Sequence, residues 1–131
     1  MVDTVKSKKS EKPAIDIARL IDDHKGEDTI VIDVSGESSW TDFFVISTIN
    51  STGHLKGVVR HIKQFLREGN LEMIHRHKRI AEDGWELMDC GNVVIHLMSK
   101  EIRDFYDLEK LWFNGKIVYQ SSKSSKSSPS S

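Results

Sequence analysis

A few residues in this chain have types and spacings that could do chemistry. Asp33 and Asp42 flank the polar loop Ser35-Gly36-Glu37-Ser38-Ser39-Trp40-Thr41. Two carboxylates at strand ends beside a loop can hold Mg²⁺ for phosphoryl or nucleotidyl transfer. The same two residues also serve in plain loop roles, with Asp42 bonding nearby amides and Asp33 closing a strand. His75 and His77 form a His-x-His pair with ligand chemistry for zinc, but no third ligand lies near them in sequence. Cys90 is the only cysteine, so no internal disulfide can form and a reducing, cytoplasmic setting is expected. Its bland role is that of a small, half-buried hydrophobe. No G-x-G-x-x-G and no G-K-[ST] occurs anywhere, so a phosphate-cradling glycine loop is missing. No convincing nucleophile–base pair stands out either, and no metal or other cofactor is expected.

Adhesion is the second kind of chemistry on offer. Trp85, Leu87 and Asp89 alternate along one predicted strand and share one side of it. An indole beside an acid is an odd pair for a plain core face and a good one for docking, because buried aromatic anchors dominate interface energetics. Lys56, Arg60, Lys63 and Arg67 line one face of a predicted helix, and Lys6, Lys8, Lys9 and Lys12 crowd the start of the chain. Either set could touch RNA phosphates. A solvated face is the plainer expectation, since no aromatic residue is interleaved there for stacking.

Composition bounds what can position these groups. The 131 residues fit one domain with a modest core. The net charge of −1 makes no global electrostatic appeal to nucleic acid or membrane. No apolar run approaches the ~18 residues of a membrane span. Residues 1–13 carry lysine and serine without hydrophobic period and are expected to be a flexible basic arm. They have no apolar signal core and no arginine, which argues against secretion and against a mitochondrial presequence.

Periodicity places the elements of a domain over 14–120. Ala14, Ile17, Ala18 and Ile21 predict a helix over 14–25, with Pro13 at its entry and Gly26 at its exit. The near-continuous apolar run over 29–34 predicts a central strand, and 43–49 a second. Leu55, Val58, Val59, Ile62, Phe65 and Leu66 predict a long helix over 51–68, capped by Ser51 or Thr52 and stopped by Gly69-Asn70. His75-Arg76-His77-Lys78-Arg79 is expected to be a basic loop. A hairpin follows, with arms over 85–89 and 93–98 around Cys90-Gly91-Asn92. Ser99 caps short helical turns that carry Arg103, Phe105 and Tyr106. Lys116 to Gln120 is expected either as an edge piece or as surface chain, and 121–131 as a disordered Ser/Lys-rich tail. The class is α/β: a mixed sheet of about five strands flanked by helices, with part of one sheet face left open.

Three blocks in this order resemble the Iojap-like family, the bacterial ribosomal silencing factors. They are Ile32-Asp33-Val34-Ser35-Gly36 with Ser38-Ser39-Trp40-Thr41-Asp42-Phe43-Phe44-Val45-Ile46, then Gly84-Trp85-Glu86-Leu87-Met88-Asp89-Cys90-Gly91-Asn92-Val93-Val94-Ile95-His96, then Arg103-Asp104-Phe105-Tyr106-Asp107-Leu108-Glu109-Lys110-Leu111-Trp112. The chain departs from the family pattern at Cys90, at Asn92 and at His75-Arg76-His77. The resemblance implies a nucleotidyltransferase-like fold that is not an enzyme. It implies binding to the large ribosomal subunit through ribosomal protein L-fourteen, a steric block of small-subunit joining, lowered translation, and self-pairing when free. By position it implies Trp85 and Asp89 as partner-binding residues, with Leu87 between them and Arg103 and Tyr106 beside them.

Overall fold

The computed structural model describes residues 2–36, 41–69, 75–81, 85–107, 110 and 115–121. The elements run α1 (Val2–Asp23), β1 (Glu27–Asp33), β2 (Phe43–Thr48), α2 (Thr52–Glu68), β3 (His75–Ala81), β4 (Trp85–Asp89), β5 (Val93–Met98), α3 (Lys100–Tyr106) and β6 (Lys116–Gln120). The strands form one six-stranded sheet in the order β3-β4-β5-β2-β1-β6. Only β2 and β5 run parallel; the other neighbours are antiparallel, so the sheet is mixed as expected.

The two central strands show why the sheet has two covered faces. All six residues of β2 and all six of β5 are buried. Alternation then splits their side chains between two cores. On one face Phe43, Val45, Ile95 and Leu97 pack with Ala14, Ile17, Ala18 and Ile21 of α1 and with Val58, Val59, Ile62 and Leu66 of α2. On the other, Ile30, Ile32, Val34, Phe44, Ile46, Trp85, Val94 and Met98 form a second cluster, joined by Leu87 and by Ile102 of α3. The face expected to lie open is therefore closed around Trp85.

The caps follow the sequence. The Ser51 hydroxyl accepts from His54 N at 3.1 Å and that of Ser99 from Ile102 N at 3.2 Å, each satisfying an amide of a helix's first turn. The hairpin turn uses Gly91 at φ 86 and Asp89, whose Oδ1 accepts from Gly91 N at 2.9 Å.

Three expectations are corrected. First, α1 begins at Val2, so its helix takes in the stretch expected as an arm. Lysine and glutamate there are good helix formers, and Pro13 sits inside the helix rather than at its start. The tail beyond 121 lies outside the described residues. Second, the basic stretch His75–Ala81 is not a loop but the edge strand β3, paired only with β4. Charge hid it from a hydrophobic pattern, and charge is what edge strands carry to discourage pairing with other chains. Third, of the two readings of Lys116–Gln120 the edge piece holds and the surface chain does not: β6 is the outer strand beside β1, tied to α1 where the Tyr119 hydroxyl donates to the Asp22 carboxylate.

The exit of α1 is also built differently from its reading as a glycine stop. The left-handed residue is Lys25, at φ 73. Gly26 is needed for space: a Cβ there would lie 2.3 Å from Ile21 Cγ2 and 2.7 Å from Ser47 Oγ. Ser47 is fixed in turn by Thr29, their hydroxyls 2.8 Å apart. Gly26→Ala is therefore expected to destabilise by roughly 1–3 kcal/mol through overpacking. A lowered urea midpoint at unchanged slope is the readout.

Candidate functional site: an aromatic path from surface to core

β4 turns Trp85 and Leu87 toward the second face, where the register sets Leu87 beside His96 of β5 and His96 beside Ile46 of β2. A succession of rings results. Phe105 stands 79% exposed at the end of α3, next to Tyr106 at 46%. Their ring centroids are 4.9 Å apart in an edge-to-face contact. Tyr106 lies 4.9 Å from Trp85, whose Nε1 donates to His96 Nδ1 at 3.2 Å. His96 meets Phe44 edge-on at 4.9 Å. Offset and edge contacts of this kind add about 0.5–1.5 kcal/mol each beyond area burial.

The residues expected to form the site fall into three settings. Trp85 is only 8% exposed, so in this fold it is the buried root of the patch and not its outer surface. The physical reason is Tyr106, which α3 lays against the indole. Leu87 and Asp89 are half-buried on the same side of β4. Arg103 is 8% exposed and its Nη1 donates to Thr48 Oγ1 at 2.9 Å, which ties α3 to the end of β2. A cleft of about 420 Å³ opens beside it, lined by carboxylates and amines together, among them Glu27, Asp28, Lys100 and Asp104. Tyr106 alone of the five is well exposed. Phe105, its neighbour, was not singled out from sequence. Its signal was available: on a short, largely charged helix, Ile102 already supplies the core contact, which leaves the Phe105 ring little core to reach.

The alternative carboxylate site is partly occupied by the protein itself. Asp33 ends β1, as expected of it, and its Oδ1 also accepts from Ser35 N at 2.9 Å and from Ser35 Oγ at 2.6 Å. Among the described residues no three His, Cys, Asp or Glu side chains cluster as a metal site. The side chains of His75 and His77 lie outside the described residues. Cys90 is half-buried, and burial with Asp89 beside it pushes its thiol up to about 11, away from thiolate chemistry.

His96 is the site's titrating member. Burial lowers its pKa from 6.5 to about 4, because a charged imidazolium there loses its water. With Nδ1 accepting from Trp85, the proton of the neutral ring belongs on Nε2, which has no hydrogen-bond partner among the described residues.

Fold and patch together describe a small mixed α/β domain with an aromatic outcrop rooted in one sheet face. The family described as ribosomal silencing factor during starvation matches residues 7–131. The ribosomal silencing factor of Treponema pallidum is 38% identical over 97 residues, 73% of this chain and 86% of that protein. That of Bacillus subtilis is 35% identical over 95 residues, 72% of this chain and 80% of its own length. A crystal structure of a Chromobacterium violaceum protein superposes with a TM-score of 0.69 at 30% identity, covering 80% of this chain and 84% of that one. The chain belongs to the ribosomal silencing factor family.

The sign of the pH effect follows from the lowered His96 pKa. The native state binds fewer protons than the unfolded chain between the two pKa values, so the stabilisation is complete above pH 6.5 and is lost as pH falls toward about 4. The loss should reach on the order of 3 kcal/mol. His96→Gln, which keeps an acceptor in reach of Trp85, should flatten that part of the profile. Denaturant melts from pH 7 to pH 4 measure both.

Proposed function

We propose that this protein docks on the large ribosomal subunit through ribosomal protein L-fourteen and keeps the small subunit from joining, lowering translation in the cytoplasm. The observation that carries this reading is the exposed pair Phe105 and Tyr106, seated on Trp85. A ring offered to solvent at 79% exposure contributes little to the fold beyond its edge contact with Tyr106, and much to a partner that can bury it. Rigid backing by Tyr106 and Trp85 means little side-chain freedom is lost on docking. Asp89, at the hairpin turn of the same strand, suits a basic partner and would add orientation and encounter rate more than affinity. Occlusion of a joining surface requires no bond-making, which agrees with a family of regulators.

The arrangement also identifies which substitution is informative. Trp85→Ala would empty a buried site and destabilise the fold by about 3–5 kcal/mol, so loss of binding there says little. Phe105→Ala removes only exposed surface. Together with Tyr106→Ala, which also uncovers the Trp85 indole, it is expected to lower stability by about 1–2 kcal/mol with the native circular dichroism spectrum retained, and to weaken large-subunit binding by about 2 kcal/mol, roughly thirtyfold. Sucrose-gradient sedimentation with separated subunits provides the measurement. The parent protein should travel with the large subunit and reduce joined particles, and the double variant should do neither. Undiminished co-sedimentation of that variant would overturn the proposed surface.

A further inference from the structure

The aromatic patch leaves one strongly charged feature unused, and it lies on α2. Lys56, Arg60, Lys63 and Arg67 are separated by four, three and four residues. On an α-helix they fall within an arc of about 60° and run along roughly 16 Å of its length. Lys56, Arg60 and Arg67 are exposed and Lys63 is half-buried. None of the four has an ion pair among the described residues. The one carboxylate on the helix, Glu68, accepts instead from Gln64 at 3.1 Å.

The stripe is part of a larger polarity. Residues 52–81 hold seven Lys and Arg against two Glu, a net +5 in a chain whose total is −1. α2 packs in the same apolar cluster as Met88, Val93, Ile95 and Leu97 of β4 and β5. The strand beyond β4 is β3, which places Arg76, Lys78 and Arg79 along the edge of the sheet. Like charges gathered in one part of a nearly neutral molecule repel one another.

We propose that the basic stripe of α2 is a contact for the phosphate backbone of RNA. It is separate from the aromatic patch and does not depend on it. A line of unpaired cations on a rigid helix suits a chain of phosphates. No aromatic ring is interleaved with the four, so the contact recognises backbone and not base sequence. An anionic membrane is the other polyanion such a stripe could meet. α2 is poorly made for it, because its apolar side chains Val58, Val59, Ile62 and Leu66 are buried in the core and cannot enter a bilayer. On a ribosomal particle this contact would orient the protein once the aromatic patch has found its partner.

The test uses the full-length protein and a fluorescein-labelled RNA hairpin of arbitrary sequence, titrated by anisotropy from 25 to 200 mM KCl on the order of five steps. Four phosphate contacts predict a slope of log affinity against log salt of about −3 to −4. Lys56→Gln with Arg60→Gln should make the slope shallower by about 2 and weaken binding at low salt at least ~10-fold, with the circular dichroism spectrum unchanged. Phe105→Ala should leave the hairpin titration as it was, so failure here and failure of subunit docking can be told apart. A second RNA hairpin of different sequence should bind equally. An identical slope for parent and double variant, or no binding at the lowest salt, would overturn the proposal. So would sedimentation with phosphatidylglycerol–phosphatidylcholine vesicles that matches or exceeds hairpin binding and disappears in the double variant.

Discussion

Everything in this fold depends on the parallel pairing of β2 with β5 at the centre of the sheet. Both strands are buried on both sides. Their backbone bonds run sideways, so their side chains must be covered above and below. α1 and α2 cover one face with regular helical stripes. The second face is where the molecule acquires its character. There α3 contributes Ile102 and presses Tyr106 onto Trp85. The proposed docking surface is thus a by-product of closing a core: the ring that seals the indole is the same ring that emerges at the surface.

That arrangement gives one indole several structural duties. Trp85 holds His96 by its Nε1 and supports Tyr106 by its face. Removing it loosens the whole path. Arg103 acts similarly at one remove, since its bond to Thr48 sets the position of α3 and with it the two rings that follow. Residues marked by the family resemblance therefore include some that present the surface and others that hold it in place.

Much of this was legible in the sequence. The hairpin arms, the turn at Gly91 and the caps at Ser51 and Ser99 lie where the pattern put them, because each rests on a local rule of spacing or capping. The alternation that set Trp85 and Leu87 on one side of β4 is visible in the second cluster. What the pattern could not show is long-range. Strand β3 is written in His, Arg and Lys and acquires its conformation from β4, not from any propensity of its own. The burial of Trp85 depends on Tyr106, which is far from it in sequence and arrives only when α3 folds back. Gly26 resembled a helix stop, while its real constraint is the nearness of Ser47, a residue of another element.

The pairing of β1 with β6 has a kinetic meaning of its own. Ile30 lies opposite Gln120, so an early strand waits for the last strand of the sheet. Contacts of such sequence separation slow folding, because the intervening loop must be closed before the contact is gained. Until Lys116–Gln120 has left the exit tunnel, β1 has an unpaired side that invites misassociation. This chain thus completes its sheet only after residues 116–120 have emerged from the ribosome that makes it.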